Sequence, residues 1–260
     1  MNDGQTAPTG MIDVHCHLPF QVSDGPKTME DSLAILRRAA ESGVTCITAV
    51  AHYGKYFEAV ADAVEKLRPE AEKLGVELYP AFEYDYLHFE TVAVEELRFI
   101  GPESRYVLVD FNRDRIPYAA PMRLFELAEQ DVGIIVVHPE KLFSESALPT
   151  LRQLTEGNSA LQINAISLLP EAPSYRRKMA HLLLRKGMVH AVASDAHRPE
   201  GHRRYVMSEA RKIVADTYGE SLARLLFETN PARLLKNLPP LDPPEFPNWW
   251  ERLRRRWLGR

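Results

Sequence analysis

Hydrophobic positions in this chain gather into seven short runs: Met11–Val14, Val44–Ala51, Val76–Phe82, Tyr106–Phe111, Gly133–Val137, Ala160–Asn164 and Val189–Ala193. Most are continuous rather than alternating, the pattern of strands buried on both faces. Between them lie stretches with helical patterning. Thr28–Ser42 places Leu33, Leu36 and Arg37 at helical spacing and stops at Gly43, and Tyr56–Leu74 runs in the same manner to Gly75. Pro121–Gln130, Pro173–Lys186 and Arg203–Tyr218 repeat the theme, with Gly187 and Gly219 ending the last two. The connection Asp85–Pro102 is less regular, with a helical stretch expected at Val92–Leu97. This alternation predicts a parallel α/β architecture, open or closed into a barrel. No repeat or low-complexity linker precedes Leu238, so one domain is expected over 11–238, after a polar, disordered lead-in at 1–10. From Pro239 the chain turns Pro-rich and then basic, with Trp249, Trp250 and Trp257.

Composition narrows the function only a little. A formal net charge of −4 gives no support for nucleic-acid binding. Two cysteines, Cys16 and Cys46, make no disulfide framework and point to a reducing cytoplasm. No apolar run approaches the length of a membrane span, and Met1–Gly10 lacks a signal-peptide core.

The chemistry lies at the C-terminal ends of the strands. His15 and His17, two apart on a strand, project to one side, while Cys16 alternates away and reads as packed. Asp24 stands in the loop after them. His52 comes after the second strand, Glu83 after the third, Asp110 after the fourth, His138 after the fifth, and Asp195 and His197 after the seventh. Singly, Asp24 and Asp110 also read as loop or capping acids and His138 as a satisfied buried histidine. Jointly, ligand types recurring at one end of a parallel barrel indicate a polynuclear metal site. A donor set of imidazole and carboxylate suits Zn²⁺, Mn²⁺ or Fe, and the number of donors calls for at least two ions.

The motifs Met11-Ile-Asp-Val-His-Cys-His, Asp24-Gly-Pro-Lys, Ala81-Phe-Glu, Ser104-Arg-Tyr, Gln162-Ile-Asn, Ala193-Ser-Asp-Ala-His and Thr229-Asn-Pro occur in that order. Together they resemble the polymerase and histidinol phosphatase (PHP) superfamily. Within it, they resemble the manganese-dependent bacterial tyrosine phosphatases of capsule and exopolysaccharide clusters. The resemblance implies a distorted (β/α)7 TIM-like barrel with three metals, Mn²⁺ first among the candidates. One metal would use His15, His17, Glu83 and Asp195. A second would share Glu83 and add Asp110 and His138, and a third would use Asp24, His52 and His197. A metal-bridging hydroxide would attack phosphorus directly, on a phosphotyrosine protein such as a membrane tyrosine autokinase. The rival within the superfamily is a small-molecule phosphoesterase of the histidinol-phosphate or nucleotide type.

Two departures from the family pattern stand out. Asp110 replaces the usual Glu, and Lys141 stands near where the family has an arginine after the fifth-strand histidine. A second family arginine corresponds to Arg203 or Arg204, and Lys55 is a further candidate phosphate contact. Each of these cations also reads as an ordinary solvated charge. Tyr53, Tyr84 and Tyr86 would line an aromatic substrate slot or pack the barrel rim. The tail beyond Leu238 reads as an extended spacer leading to an amphipathic segment suited to an anionic membrane surface. The alternative is that its tryptophans pack back on the barrel.

Overall fold

The structure is a computed structural model that describes residues 10–111, 116–118, 120–141, 145–155 and 158–246. Residues 1–9 of the expected lead-in (1–10) and the Trp-bearing tail (247–260) lie outside the described residues. Seven parallel strands pair strictly in sequence order: β1 Met11–Cys16, β2 Val44–His52, β3 Glu77–Asp85, β4 Tyr106–Asp110, β5 Gly133–Val137, β6 Ser159–Asn164 and β7 Ala191–Ala193. Helices α1 Met29–Glu41, α2 Phe57–Leu74, α3 Tyr86–Phe89, α4 Ala120–Ala128, α5 Leu148–Leu154, α6 Ser174–Arg185, α7 Met207–Tyr218, α8 Glu220–Arg224 and α9 Asn230–Leu235 complete the chain. The expected barrel is therefore present, nearly closed. At its seam Asp195 N–H donates to His15 O (2.8 Å) and His17 N–H to Ala196 O (2.9 Å). The Asp13 carboxylate accepts from Ser194 N–H at 3.0 Å.

Local chemistry explains the elements. Thr28 caps α1 reciprocally: its hydroxyl accepts from Asp31 N–H, and the Asp31 carboxylate accepts from Thr28 N–H. Gly75, at φ +70°, ends α2 in the left-handed region that glycine enters without strain. Strand alternation sorts the apolar side chains into two clusters among the described residues. One mixes strands with helices. The other draws Ile12, Val50, Ala81, Leu108, Ile135, Ala160 and Ala191, one from each strand, and is the barrel lumen. Leu234 of α9 joins this second cluster, so α9 plugs the barrel's N-terminal end, and Ser104 Oγ donates to Leu234 O.

Several boundaries differ from the sequence reading. The helical stretch expected at Val92–Leu97 is a 3-10 turn at Val94–Glu96, preceded by the short α3. The helix expected from Arg203 begins at Met207, because Gly201–Arg203 forms a separate 3-10 turn. Helices α5, α8 and α9 went unread, although Pro231 at the start of α9 is a helix-initiating signal. The Pro-rich segment is extended through Phe246, but it lies strapped to the barrel. Asn230 and Leu241 exchange two hydrogen bonds, and Phe246 N–H donates to Arg185 O at 2.8 Å.

His190 enters β7 at the end opposite the strand tips and is 4% exposed. Its Nδ1 accepts from Leu161 N–H at 3.1 Å, and burial pushes its pKa down to about 4. Below the unfolded value of 6.5, the unfolded chain binds this proton first. Stability is thus full above pH 6.5, falls as pH drops towards 4 and levels off below. The loss is on the order of 3 kcal/mol. Thermal melts at stepped pH should show this fall in the native chain and a shallower one in His190→Asn, whose amide oxygen can still accept from Leu161. Parallel curves would show that His190 does not contribute it.

Candidate metal centre

The strand tips bring all nine expected ligand residues to one end of the barrel. Lumen-facing alternation carries some of them there directly: His52 follows Val50 on β2, Glu83 follows Ala81 on β3, and Asp110 follows Leu108 on β4. Others need a break in alternation. Val137 already faces the lumen, and His138 turns inward only because its backbone adopts φ +40°. Asp195 is also left-handed, at φ +48°. Non-glycine residues in this region cost of order 1–3 kcal/mol, and such costs concentrate at functional sites. On β1, a register shift between Asp13 and Cys16 separates lumen-facing Val14 from the site-facing histidines. Cys16 packs away into the core, as the alternation predicted.

Three groups of ligand atoms converge, each within 4.8 Å. His15, His17 and Glu83 form the first. His15 Nε2 and His17 Nε2 lie 3.1 Å apart, and Asp195 Oδ1 lies 3.6 Å from each. Glu83, Asp110 and His138 form the second, with His138 Nε2 2.8 Å from Glu83 Oε1. The third joins Asp24, His52 and His197 and also takes in His17. His17 thus belongs to both the first and the third group, its ring stacking on His197 at 3.7 Å, and Asp195 stands beside the first group without belonging to it. The first two groups are mostly buried, whereas His52 and Asp24 are 45% and 40% exposed, so the site opens to solvent on their side.

The electrostatics are those of a cation site. Burial alone would raise the Glu83 carboxyl, but His15 and His138 hold it well below the usual carboxylate range. Burial likewise opposes ionisation of Asp195, and His15 and His138 overrule it. Burial pulls His15 down, yet the charges of Glu83 and Asp195 push it up to about 9. Burial and the neighbouring His197 drive His17 down to about 3. The carboxylates thus draw positive charge that two touching imidazoles cannot both supply. His17 Nδ1 and Asp24 Oδ1 are buried without hydrogen-bond partners among the described residues. Orphaned donor atoms, converging imidazoles and a set free of thiolate fit divalent Mn, Zn or Fe.

The candidate cations separate. Lys141 reaches the site, its Nζ 4.0 Å from Asp195 Oδ2. Arg203 also reaches it, donating to Asp24 Oδ2 at 2.7 Å and to His197 Nε2. Arg204 turns away to pair with Glu171 at 2.5 Å, and Lys55 is exposed with no hydrogen bond or ion pair to the groups among the described residues. Of the two readings of Tyr84 and Tyr86, packing is the one observed. Both are buried, Tyr84 stacking on Tyr53 and Tyr86 on Phe111.

Two supporting residues carried no role in the sequence reading. Gln162 Oε1 lies 3.0 Å from His15 Nδ1, and Asn164 Nδ2 donates to Asp195 Oδ2. Such partners fix the ring orientation and carboxylate position of a ligand. Their i, i+2 spacing on β6, in phase with lumen-facing Ala160, was the available signal.

The family model for capsular polysaccharide synthesis, CpsB/CapC, matches residues 11–236. A putative tyrosine-protein phosphatase CapC of Staphylococcus aureus is 32% identical over 197 residues, covering 72% of this chain and 77% of the relative. A tyrosine-protein phosphatase CpsB of Streptococcus pneumoniae is 27% identical over 240 residues, covering 86% and 98%. A crystal structure from work on YwqE of Bacillus subtilis and CpsB of S. pneumoniae, described as unique metal-dependent tyrosine phosphatases, superposes with a TM-score of 0.78. It is 25% identical and covers 91% of this chain and 99% of that one.

Proposed function

Because the chain belongs to the CpsB/CapC family of capsular polysaccharide synthesis, we propose that it is a metal-dependent protein-tyrosine phosphatase. The observation that carries this reading is the convergence of eight histidines and carboxylates at the strand tips in three groups, with the Asp195 carboxylate 3.6 Å from His15 and His17. His15, His17, Glu83 and Asp195 would hold one ion, Glu83, Asp110 and His138 a second, and Asp24, His52 and His197 a third with His17 alongside. Bound ions supply a Lewis acid for phosphoryl oxygens and a nucleophilic water at neutral pH. Mn²⁺ is the ion we propose, on the donor set and the family resemblance.

The chain's own residues supply the rest. Gln162 and Asn164 hold His15 and Asp195 in place. Lys141 offers an ammonium at the edge of the first group, a point charge for a phosphoryl oxygen. Arg203 offers a planar fork on the open side, at Asp24. The substrate we propose is a phosphotyrosine protein, in particular a membrane tyrosine autokinase, met in the cytoplasm. Free, buried Cys16 and Cys46 are consistent with a reducing compartment. No helix among the described residues is long and apolar enough to cross a membrane.

The test is hydrolysis of p-nitrophenyl phosphate, phosphotyrosyl peptide, phosphoseryl peptide and histidinol phosphate, with and without added Mn²⁺. Preference for histidinol phosphate would overturn the protein-phosphatase reading. Within the same assay, Lys141→Ala should lower kcat/KM by about 10- to 100-fold, the range of a charge-assisted hydrogen bond. Lys141→Arg should keep or raise it, since a guanidinium can fork onto phosphate. No change in either variant would remove Lys141 from the phosphate site and leave Arg203 in that role.

A further inference from the structure

Beside the metal groups, the loops after β6 and β7 enclose a separate cleft of about 540 Å³. Ile166, Ala172 and Pro173 give it apolar walls, and Arg176 and Arg204 give it cationic ones. It adjoins the site through its own walls. Arg204 follows Arg203, whose guanidinium binds Asp24. Ser167, also on the cleft, donates to the buried Glu140 carboxylate, which accepts from Asn164 N–H as well. Asn164 in turn holds Asp195.

The charges on this rim are unevenly matched. Arg204 is neutralised by Glu171. Arg176 has no carboxylate partner among the described residues, and its Nε is buried without a hydrogen bond. Among the described residues, Arg177 donates only to the carbonyls of Pro170 and Ala172, and Arg198 only to those of Asp24, Gly25 and His197. Guanidiniums are therefore concentrated at this edge of a chain whose net charge is −4. Resting on the phosphatase reading above, we propose that this cleft is a specificity subsite for an acidic residue flanking the phosphotyrosine, with Arg176 as its anchor. The carboxylate would meet the Arg176 guanidinium, and the side-chain methylenes would lie on Ile166 and Pro173. Such binding acts alike on ground and transition states, so it belongs in KM.

The experiment compares kcat and KM of the metal-loaded full chain on phosphotyrosyl peptides that differ only in Glu, Ala or Lys at the flanking positions. p-Nitrophenyl phosphate serves as a substrate with no flank. The native chain should favour the Glu peptide over the Lys peptide by about tenfold, mostly in KM. Arg176→Gln, which keeps the stem and loses the charge, should bring that ratio close to one while p-nitrophenyl phosphate turnover stays unchanged. Arg176→Glu should invert the preference, and Glu171→Gln, which frees Arg204, should enlarge it. No flank preference in the native chain, or the same preference in Arg176→Gln, overturns the subsite. An equal loss on peptides and on p-nitrophenyl phosphate also overturns it, since that marks a structural role. Failure of the metal-loaded chain to hydrolyse any of these substrates overturns the phosphatase reading itself, and the subsite with it.

Discussion

Glu83→Ala is expected to lower kcat by roughly 10³-fold or more, the scale of losing a principal electrostatic stabiliser. Its carboxylate reaches four of the site's histidines. One carboxylate oxygen lies 2.8 Å from His138. The other lies 3.0 Å from His17, 3.5 Å from His15 and 3.3 Å from His52. Glu83 is 1% exposed and belongs to two of the three ligand groups. Its loss would weaken two ions together, so metal content should fall alongside turnover. Glu83→Gln separates the parts: it keeps the shape and removes the charge, and it should be nearly as damaging. Turnover of p-nitrophenyl phosphate with metal content by mass spectrometry is the measurement. Near-normal rates in either variant would exclude this site.

Removing metal should have an effect of similar size. A strong chelator is expected to abolish turnover, with Mn²⁺ restoring it, whereas Cys16→Ser should keep most activity. The thiol has no route to catalysis. It is fully buried, faces Ala196 O at 3.8 Å, and burial pushes its pKa far above neutrality. A thiolate nucleophile needs the opposite environment, partly exposed and electropositive. Full activity in chelated protein together with a dead Cys16→Ser would reverse the mechanism.

Continuous apolar runs and their terminal histidines and carboxylates made the parallel α/β architecture and the nine candidate ligand residues at its strand tips legible in the sequence. The features that stayed hidden depend on local backbone geometry and long-range pairing. His138 faces inward through a left-handed backbone that strand periodicity does not encode. The choice between adjacent Arg203 and Arg204 depends on the turn at Gly201–Arg203, which sends one guanidinium to Asp24 and the other to Glu171. Sharing of His17 between two groups depends on how the β1 and β7 tips meet, which spacing along one strand does not report. The tyrosines stayed open between slot and packing for a simpler reason: residues near strand tips can face either the mouth or the surrounding helices, and Tyr84 follows lumen-facing Glu83 by one residue.

The seam between β1 and β7 also sets a timetable. His15 and Ser194, which touch across it, are 179 residues apart in the chain. At synthesis rates of about 5–20 residues per second, roughly 10 to 35 seconds separate their emergence from the ribosome. Until β7 arrives, β1 has an open apolar edge, the kind of exposed strand that invites wrong pairing. Contacts this distant in sequence also make closure a slow step of folding. Asp195 has no seat beside His15 before that closure, so the first ion site proposed above can be completed only in a finished barrel. On this order of events the unsealed β1 edge precedes any binding at that site.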